Sequence, residues 1–470
     1  MTVSAALNIA TSGLAAARAR ADVAAGNVAN AHTEGYVRRA AALSERVIGT
    51  QGAGVRLLGE TRAGASHLTT ERMRADALAS SASSGAEAAR RLTELFGGPN
   101  DETGVLAALA DFERSLRDAA ATPESETLLL GLRDAGQALT TRLGEASEGA
   151  DAMRSEADRD IGIAVVEIND ALTRLEALNR LPAGETTPAV EDERQRLIDG
   201  INADLPVTVL RQGDDVHLVT EGGAFLLTST AHTVEFTPMG SVGRTHALGA
   251  PLSGISVDGV DLTPTGTGPQ RSSSGRIAAL FSQRDGEVPA FQDALDEVAV
   301  DLVTRFAADE SDPTKTPGEA GLFTDGGDPS PSGLGAGIAG RLRLAAAVDP
   351  AQGGTVTRLR DGLGAAATGP IGNGDQLGRF LSTLTADGGP AVRASALSAD
   401  QGAKLQSAEG RSVAAAIRQR GASDAEIGAL GVDTDKELQD MMLIEQAYAA
   451  NARVLQTVSD MMDVLMAAVR

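Results

Sequence analysis

Apolar residues recur at alternating spacings of four and three at both ends of the chain, and this constrains the fold more than anything between them. Near the start, Val3, Leu7, Ala10, Leu14, Ala17, Ala21, Ala24 and Val28 form one such seam. Near the end, Leu438, Met441, Glu445, Tyr448, Ala452, Leu455, Ser459, Met462, Met466 and Val469 form another. A sustained repeat of this kind marks helices that pair along their length. The first thirty residues therefore predict one amphipathic helix. Gly26-Asn27 and the run from Asn30 to Gly35 end it, because Asn and Gly tolerate the left-handed conformation that closes a helix. The last helix carries a second stripe of Leu443, Ala447, Ala450, Val454, Met461, Leu465 and Ala468, so one partner helix cannot cover both faces. Further copies of the chain, or another protein, are expected to bury the rest.

Charge supports a pairing of the ends. Residues 1–46 hold Arg18, Arg20, Arg38, Arg39 and Arg46 against Asp22, Glu34 and Glu45, a net of +2, whereas 431–470 hold seven acids against Lys436, Arg453 and Arg470, a net of −4. The whole 470-residue chain carries −23, which repels the phosphates of nucleic acid and anionic membrane surfaces. The absence of Cys excludes disulfides, Cys-ligated zinc and thiol catalysis together. No apolar run is long enough to cross a membrane, and Met1–Ala10 lacks the basic start and apolar block of a cleaved secretory signal. With only 2% aromatic residues, extended helical packing is expected instead of one large globule.

The middle reads as helix first. Residues 71–96 and 104–121 are rich in Ala and Arg, and the second carries Val105, Leu109, Phe112, Leu116 and Ala119 at heptad spacing. A further run opens at Pro123, and its far half repeats the seam in Ile161, Val165, Ile168, Leu172 and Leu175. These predict a bundle of long antiparallel helices, followed by a short helix with Leu197 and Ile201 inward. The period then changes to two over 206–228, with turns at Gly213-Asp214 and Gly222-Gly223 and a hairpin signal at Asp258-Gly259, so a small β domain is expected at 206–270. Helix resumes at Arg276; a Gly-, Asp- and Pro-rich loop covers 309–340, and less regular sequence runs to about 400. The fold class is mainly α with an inserted small β domain.

Motifs that would carry chemistry are weak. Gly335, Gly337 and Gly340 spell GxGxxG, but a loop precedes them where a dinucleotide site needs a strand. None of Lys315, Lys404 and Lys436 follows a Gly, so there is no Walker loop. The segment 433–437 begins like a calcium loop yet has Leu438 where Gly is required, which leaves it as an acidic helix start. The five His never fall at i, i+3 or i+4. Neither catalysis nor a cofactor or metal is expected.

The segment from Ser12 to Arg39 resembles the N-terminal signature of the bacterial flagellar axial family of rod, hook and hook-associated proteins, matched here by Asn27, Asn30, Thr33, Gly35, Tyr36 and Arg38. Residues 431–466 resemble the family's other end through Glu437, Gln446, Ala447, Tyr448, Ala450, Asn451 and Val454. Stretches at 191–227, 275–306, 321–325 and 341–354 resemble the hook-associated members that form the junction between hook and filament.

The resemblance implies a terminal coiled-coil domain of 1–60 and 430–470 in an inner tube, a helical domain of 61–205 and 271–429 outside it, and the β domain of 206–270 outermost. It implies a structural, non-enzymatic junction protein, exported unfolded through the flagellar type III apparatus to the extracellular flagellum. The implied partners are further copies in a ring or helix, the hook protein, hook-associated protein 3 and an export chaperone. Leu7, Leu14 and the matched N-terminal residues are the expected assembly residues, with Leu438, Met441, Gln446, Tyr448, Asn451, Val454, Leu455 and Met462 at the other end. A hook or rod subunit, and more remotely a secreted enzyme on a coiled-coil stalk, are the alternatives.

Overall fold

The computed structural model describes residues 3–33, 35–48, 51–98, 101–182, 185–268, 270–328 and 334–468. Its spine is one 54-residue helix, α4 (Glu126–Asn179), which contributes to two separate cores in turn. Before it come α1 (Val3–Ala29), an antiparallel hairpin of β1 (Arg39–Ile48) and β2 (Gln51–Arg62), α2 (Ser66–Phe96) and α3 (Val105–Ala121). After it come α5 (Pro188–Asp204), the three-stranded sheet of β3 (Val207–Gln212), β4 (Asp215–Thr220) and β5 (Phe225–Leu227), and five two-residue strands, β6 to β10, between Val234 and Asp261. Helices α6 (Gly275–Ser282) and α7 (Val288–Ala307) are joined by a π-helical turn at Gln283–Glu287. The chain then runs through β11 (Phe323–Asp325), α8 (Ile338–Arg341), β12 (Leu342–Leu344), α9 (Arg358–Asp361), α10 (Asp375–Thr385), α11 (Pro390–Leu430) and α12 (Thr434–Ala468).

The first half of α4 presents Leu129, Leu132, Leu139, Leu143, Ala146 and Ala150 to a core built with α3, α7, α10 and the end of α2. Few large side chains are available, and they gather here: Phe112, Phe306 and Phe323 meet edge to face or tilted, with ring centroids 5.1–6.4 Å apart. The second half presents Ile161, Val165, Ile168, Leu172 and Leu175 to α5, α6 and the strands. The stretch expected as an inserted β domain thus shares one core with α4: Val216, Leu218, Leu226, Val257 and Leu262 lie in the same cluster as Ile168 and Phe281.

Between the two cores lies a buried charged layer. The Arg154 guanidinium donates to the carbonyls of Arg284 (2.9 Å), Gly243 (2.9 Å) and His246 (2.6 Å). Arg284, on the π-helical turn, donates to Asp158 at 2.6 Å and lies 4.6 Å from the centre of the Phe281 ring. Both ends of the Arg284–Asp158 pair are fully buried.

Two elements depart from the sequence expectation. The hairpin at 39–62 stands where the terminal domain was expected to be helical, and α11 is a continuous 41-residue helix running into the stretch expected to be less regular. Helix α11 lies antiparallel along α2, through small residues that include Ala86, Ala89 and Ala408. The expected mainly α fold with small β elements and paired terminal helices is the architecture observed.

Candidate assembly surface

The two chain ends meet as an antiparallel pair. Ala10, Ala17 and Ala24 of α1 are buried, and between the first two lies Gly13, where an added Cβ would come within 2.9 Å of the Asn451 amide group on α12. A thin, Ala-rich seam thus permits close approach and does not fill a deep groove. On α12 the covered stripe is Glu437, Met441, Ile444, Asn451, Leu455 and Val458. This corrects the expected register. Met441, Asn451 and Leu455 face α1, with Ile444 and Val458 where Glu445 and Ser459 were expected, while Leu438, Gln446, Tyr448, Val454 and Met462 are exposed. On α1, Leu14 is half-buried and Leu7 is exposed. The expected seam position Val469, and the side chain of Leu465, lie outside the described residues.

The polar phrase after α1 is an anchor for the hairpin. Asn27 is fully buried on the last turn of the helix; its Nδ2 donates to the Arg39 carbonyl at 2.9 Å, and its Oδ1 accepts from the Arg39 N–H and the Tyr36 hydroxyl, each at 3.0 Å. One side chain therefore holds both backbone groups of the first residue of β1. Asn30 donates from Nδ2 to the Gly26 carbonyl at 2.9 Å and accepts from the Thr33 hydroxyl at 3.3 Å, closing the helix end. Gly35 sits at φ +76°, in the left-handed region that Gly adopts without strain. Burial pushes the Tyr36 phenol up from its ordinary pKa against the opposing pull of Arg39, whose guanidinium stacks 4.6 Å from the ring centre.

Next in sequence, Arg38 ties the two ends together. Its guanidinium donates to Glu437 at 2.6 Å and Asp440 at 3.3 Å on the first turns of α12, and its N–H donates to the Leu430 carbonyl at the end of α11. Glu437 is buried, so this contact is worth more than an exposed pair. Asp433 caps α12 by accepting the N–H groups of Asp435 and Lys436 at 3.1 Å, as the acidic helix start predicted.

The unit is fixed to the helical body by a second set of charges. Asp192 of α5 accepts from Arg39 at 3.1 Å and Arg62 at 2.7 Å, one from each strand of the hairpin. Close by, Arg72 of α2 bonds Asp76, Asp199 and Glu426, joining α2, α5 and α11. Burial alone would lower the Arg72 pKa, but the three carboxylates together raise it and hold the guanidinium charged. These groups line a cleft of about 590 Å³ at the root of the terminal unit. Sequence reasoning missed Asp192 and Arg72, because each lies more than a hundred residues from a partner and neither belongs to a local motif.

What α12 leaves uncovered is large. Leu438, Met442, Leu443, Tyr448, Val454, Met461, Met462, Val464 and Met466 are all exposed, Val464 and Met466 by 68% and 69%. Among the described residues no helix is long and apolar enough to cross a membrane, and no group of three or more acids or histidines could hold a metal ion.

Comparison with known proteins gives the same outline. A model of the flagellar hook-associated protein FlgK helical domain matches residues 89–322, one of the flagellar basal body rod FlgEFG protein C-terminal region matches 428–468, and one of the flagella basal body rod protein matches 7–36. Flagellar hook-associated protein 1 of Bacillus subtilis (strain 168) is 22% identical over 502 residues, covering 97% of this chain and 96% of its own. The flagellar hook junction protein FlgK from Burkholderia pseudomallei, a solved structure, is 18% identical with a TM-score of 0.45 over 55% of this chain and 47% of its own. The matched models take in both terminal signatures and most of the middle, and the chain belongs to the flagellar axial family of structural proteins, in its hook-associated protein 1 branch.

Proposed function

We propose that this chain is a structural junction protein joining the flagellar hook to the filament, and that it does so by self-assembly through α1, the hairpin and α12. Membership of the family makes it part of the extracellular flagellum and of an assembly with other flagellar components. The finer reading adds the hook protein below, hook-associated protein 3 above, and an export chaperone that covers α12 during passage through the type III apparatus.

One observation carries this reading: the uncovered apolar stripe of α12, which a soluble monomer does not retain without a use. A hook or rod subunit is disfavoured by the match across 89–322, which is specific to the hook-associated helical domain. Among the described residues the enzyme alternative finds one contact of the kind it needs: His232 lies 2.6 Å from Asp258 and 3.1 Å from the Thr228 hydroxyl. With Asp258 65% exposed on an open turn, however, the three pin two turns together at a wet rim and form no enclosed cleft.

The test is Met462→Asp. At an exposed position the carboxylate stays hydrated in the monomer, whereas in the assembly it would be buried without a partner, at a cost of several kcal/mol per copy. Cells carrying it should build hooks, release filament subunits into the medium and fail to swim, while the purified chain melts as the parent does. A control change at the exposed Arg117 should be tolerated. Normal swimming by the Met462→Asp strain would overturn the reading.

A further inference from the structure

The terminal unit of α1, the hairpin and α12 is tied within itself more firmly than to the helical body. Asn27 holds both backbone groups of Arg39, the Ser12 hydroxyl accepts from the Val55 N–H at 3.1 Å, Gly13 admits Asn451, and Arg38 bonds Glu437 and Asp440. Its buried apolar residues, among them Ala17, Val23 and Ile444, belong to no core cluster of the body. Two bodies that share no apolar core move relative to one another unless something else restrains them.

Two stretches of chain cross between unit and body, residues 63–65 and 431–433, and both lie outside helix and strand. They lie side by side: the Arg38 N–H donates to the Leu430 carbonyl and the Arg38 carbonyl accepts from the Ala63 N–H, each at 2.9 Å. At Gly64 a Cβ would meet nothing within 4 Å, so that crossing is not wedged between the two bodies. Adjacent irregular crossings as short as these act as one pivot, where a few changes of φ and ψ turn one body against the other.

The restraint stands beside the pivot. Arg39 and Arg62, the neighbours of Arg38 and Ala63 on the two strands, both reach Asp192 of α5, and each uses a different carboxylate oxygen, Oδ2 at 3.1 Å and Oδ1 at 2.7 Å. Among the described residues the ion pairs from unit to body converge on this one carboxylate, which is buried. Next to it the cleft bordered by Arg62, Arg72, Asp199 and Glu426 leaves open space on one side of the root. We propose that the terminal unit pivots as one body on the two crossings, and that Asp192 is the latch that holds it at the observed angle. Release of the latch lets the body take another direction while the packing of α1 on α12 is kept. This is a property of one chain, and it stands whether or not copies assemble.

A partly buried pair is screened little by salt, so the latch is tested by substitution. The lack of Cys allows nitroxide labels to be placed on the purified full-length chain at chosen positions. Gln456→Cys with Asp170→Cys spans the pivot from α12 to α4, and Gln456→Cys with Glu60→Cys lies within the unit; all three positions are exposed. Pulsed electron–electron double resonance should give a narrow distance distribution for both pairs when Asp192 is present. Asp192→Arg, which repels both guanidinium groups, should broaden the spanning distance by about twofold or more and leave the internal one unchanged, with the helical circular dichroism signal kept. Asp192→Asn should act in the same direction, and Asp192→Glu, which keeps the charge, should keep the narrow distance. If Asp192→Arg loses helical signal, the Asn and Glu variants decide between them. A spanning distance that is already broad with Asp192 in place, or that neither Asp192→Arg nor Asp192→Asn changes, overturns the latch. An internal distance that broadens along with the spanning one overturns the pivot, because the unit would then not move as one body.

Discussion

Replacing Asn27 by Ala should detach the root of the hairpin while leaving both cores intact. The Asn27 side chain makes three hydrogen bonds, two of them to the backbone of Arg39, and has no exposed surface. At roughly 0.5–1.5 kcal/mol net for each bond, and with the Arg39 N–H and C=O left short of a partner, the loss amounts to about 2–4 kcal/mol. That energy is local, because the hairpin adds no residue to either core cluster and is otherwise held by the Ser12 contact and the Asp192 ion pairs. Every 1.4 kcal/mol is a factor of ten, so opening at the start of β1 should become about 30- to 1000-fold more frequent. Hydrogen exchange at the amides of 39–43 reads this directly, with amides in α4 as the internal reference. Tyr36→Phe removes one bond of the three and should accelerate exchange by no more than about tenfold. Asn27→Asp keeps both donors to Oδ1 but sets a carboxylate oxygen against the Arg39 carbonyl, and should fall between the two. Exchange in β1 unchanged within threefold, or accelerated equally in α4, would refute the assignment of Asn27 as the hairpin's anchor.

Two further outcomes follow from buried charge. Asp158→Ala takes from the Arg284 guanidinium one of its two buried carboxylates, leaving Asp285, and frees the Met239 N–H that Asp158 also accepts. The loss should therefore stay below the ~3–5 kcal/mol of a fully broken buried pair but exceed about 1 kcal/mol, read as a lower urea midpoint with the slope unchanged; a smaller change would show that Asp285 alone suffices to hold the charge. Glu191 accepts from Arg194 and Arg211 at 2.8 Å each; burial pushes its carboxyl up, but the two guanidinium groups outweigh burial and hold it below the ordinary value of 4.5. A group whose pKa falls on folding adds stability that is present above its unfolded pKa and lost as pH drops through the folded one, so the parent should lose stability below about pH 4.5 and Glu191→Gln should flatten that part of the profile. Identical acid profiles for the two proteins would contradict this.

The readable parts of this chain are those where burial and hydropathy coincide. The seams of α3 and of the far half of α4 were legible because Leu, Ile, Val and Phe occupy most inward positions. Helix α11 was not, because its buried face holds Ala394, Ser398, Gln401, Ala408 and Ala415, small or polar residues that leave no apolar period to detect. The hairpin escaped for a related reason. Three Ala open β1, and three Gly interrupt β2 at positions 52, 54 and 59, two of them at positive φ, so neither strand alternates in hydropathy. On α12 the difficulty was the reverse. Apolar residues surround the helix, so spacing alone could not choose the seam, and the choice falls to the fit of Asn451 over Gly13 and to the Arg38–Glu437 pair. The polar phrase after α1 was legible as a helix stop, but its role as an anchor depends on Arg39 lying beside Asn27, which only the folded turn creates.

On the proposed reading, the free face of α12 also bears on how copies come together. Nine large apolar side chains there are exposed by about half. Complete burial of such a side chain gains roughly 1.5–3 kcal/mol, so covering the exposed half of nine gains about 7–13 kcal/mol. Association costs an estimated 4–15 kcal/mol in lost freedom alone, before any charge repulsion between chains of net −23. A single contact between two copies is therefore marginal in solution. On the proposed reading, a copy that enters a row meets more than one neighbour, and each further contact gains its burial without repeating the cost of association. Growth thus requires an existing end that offers several contacts at once, and free chains do not nucleate one by themselves.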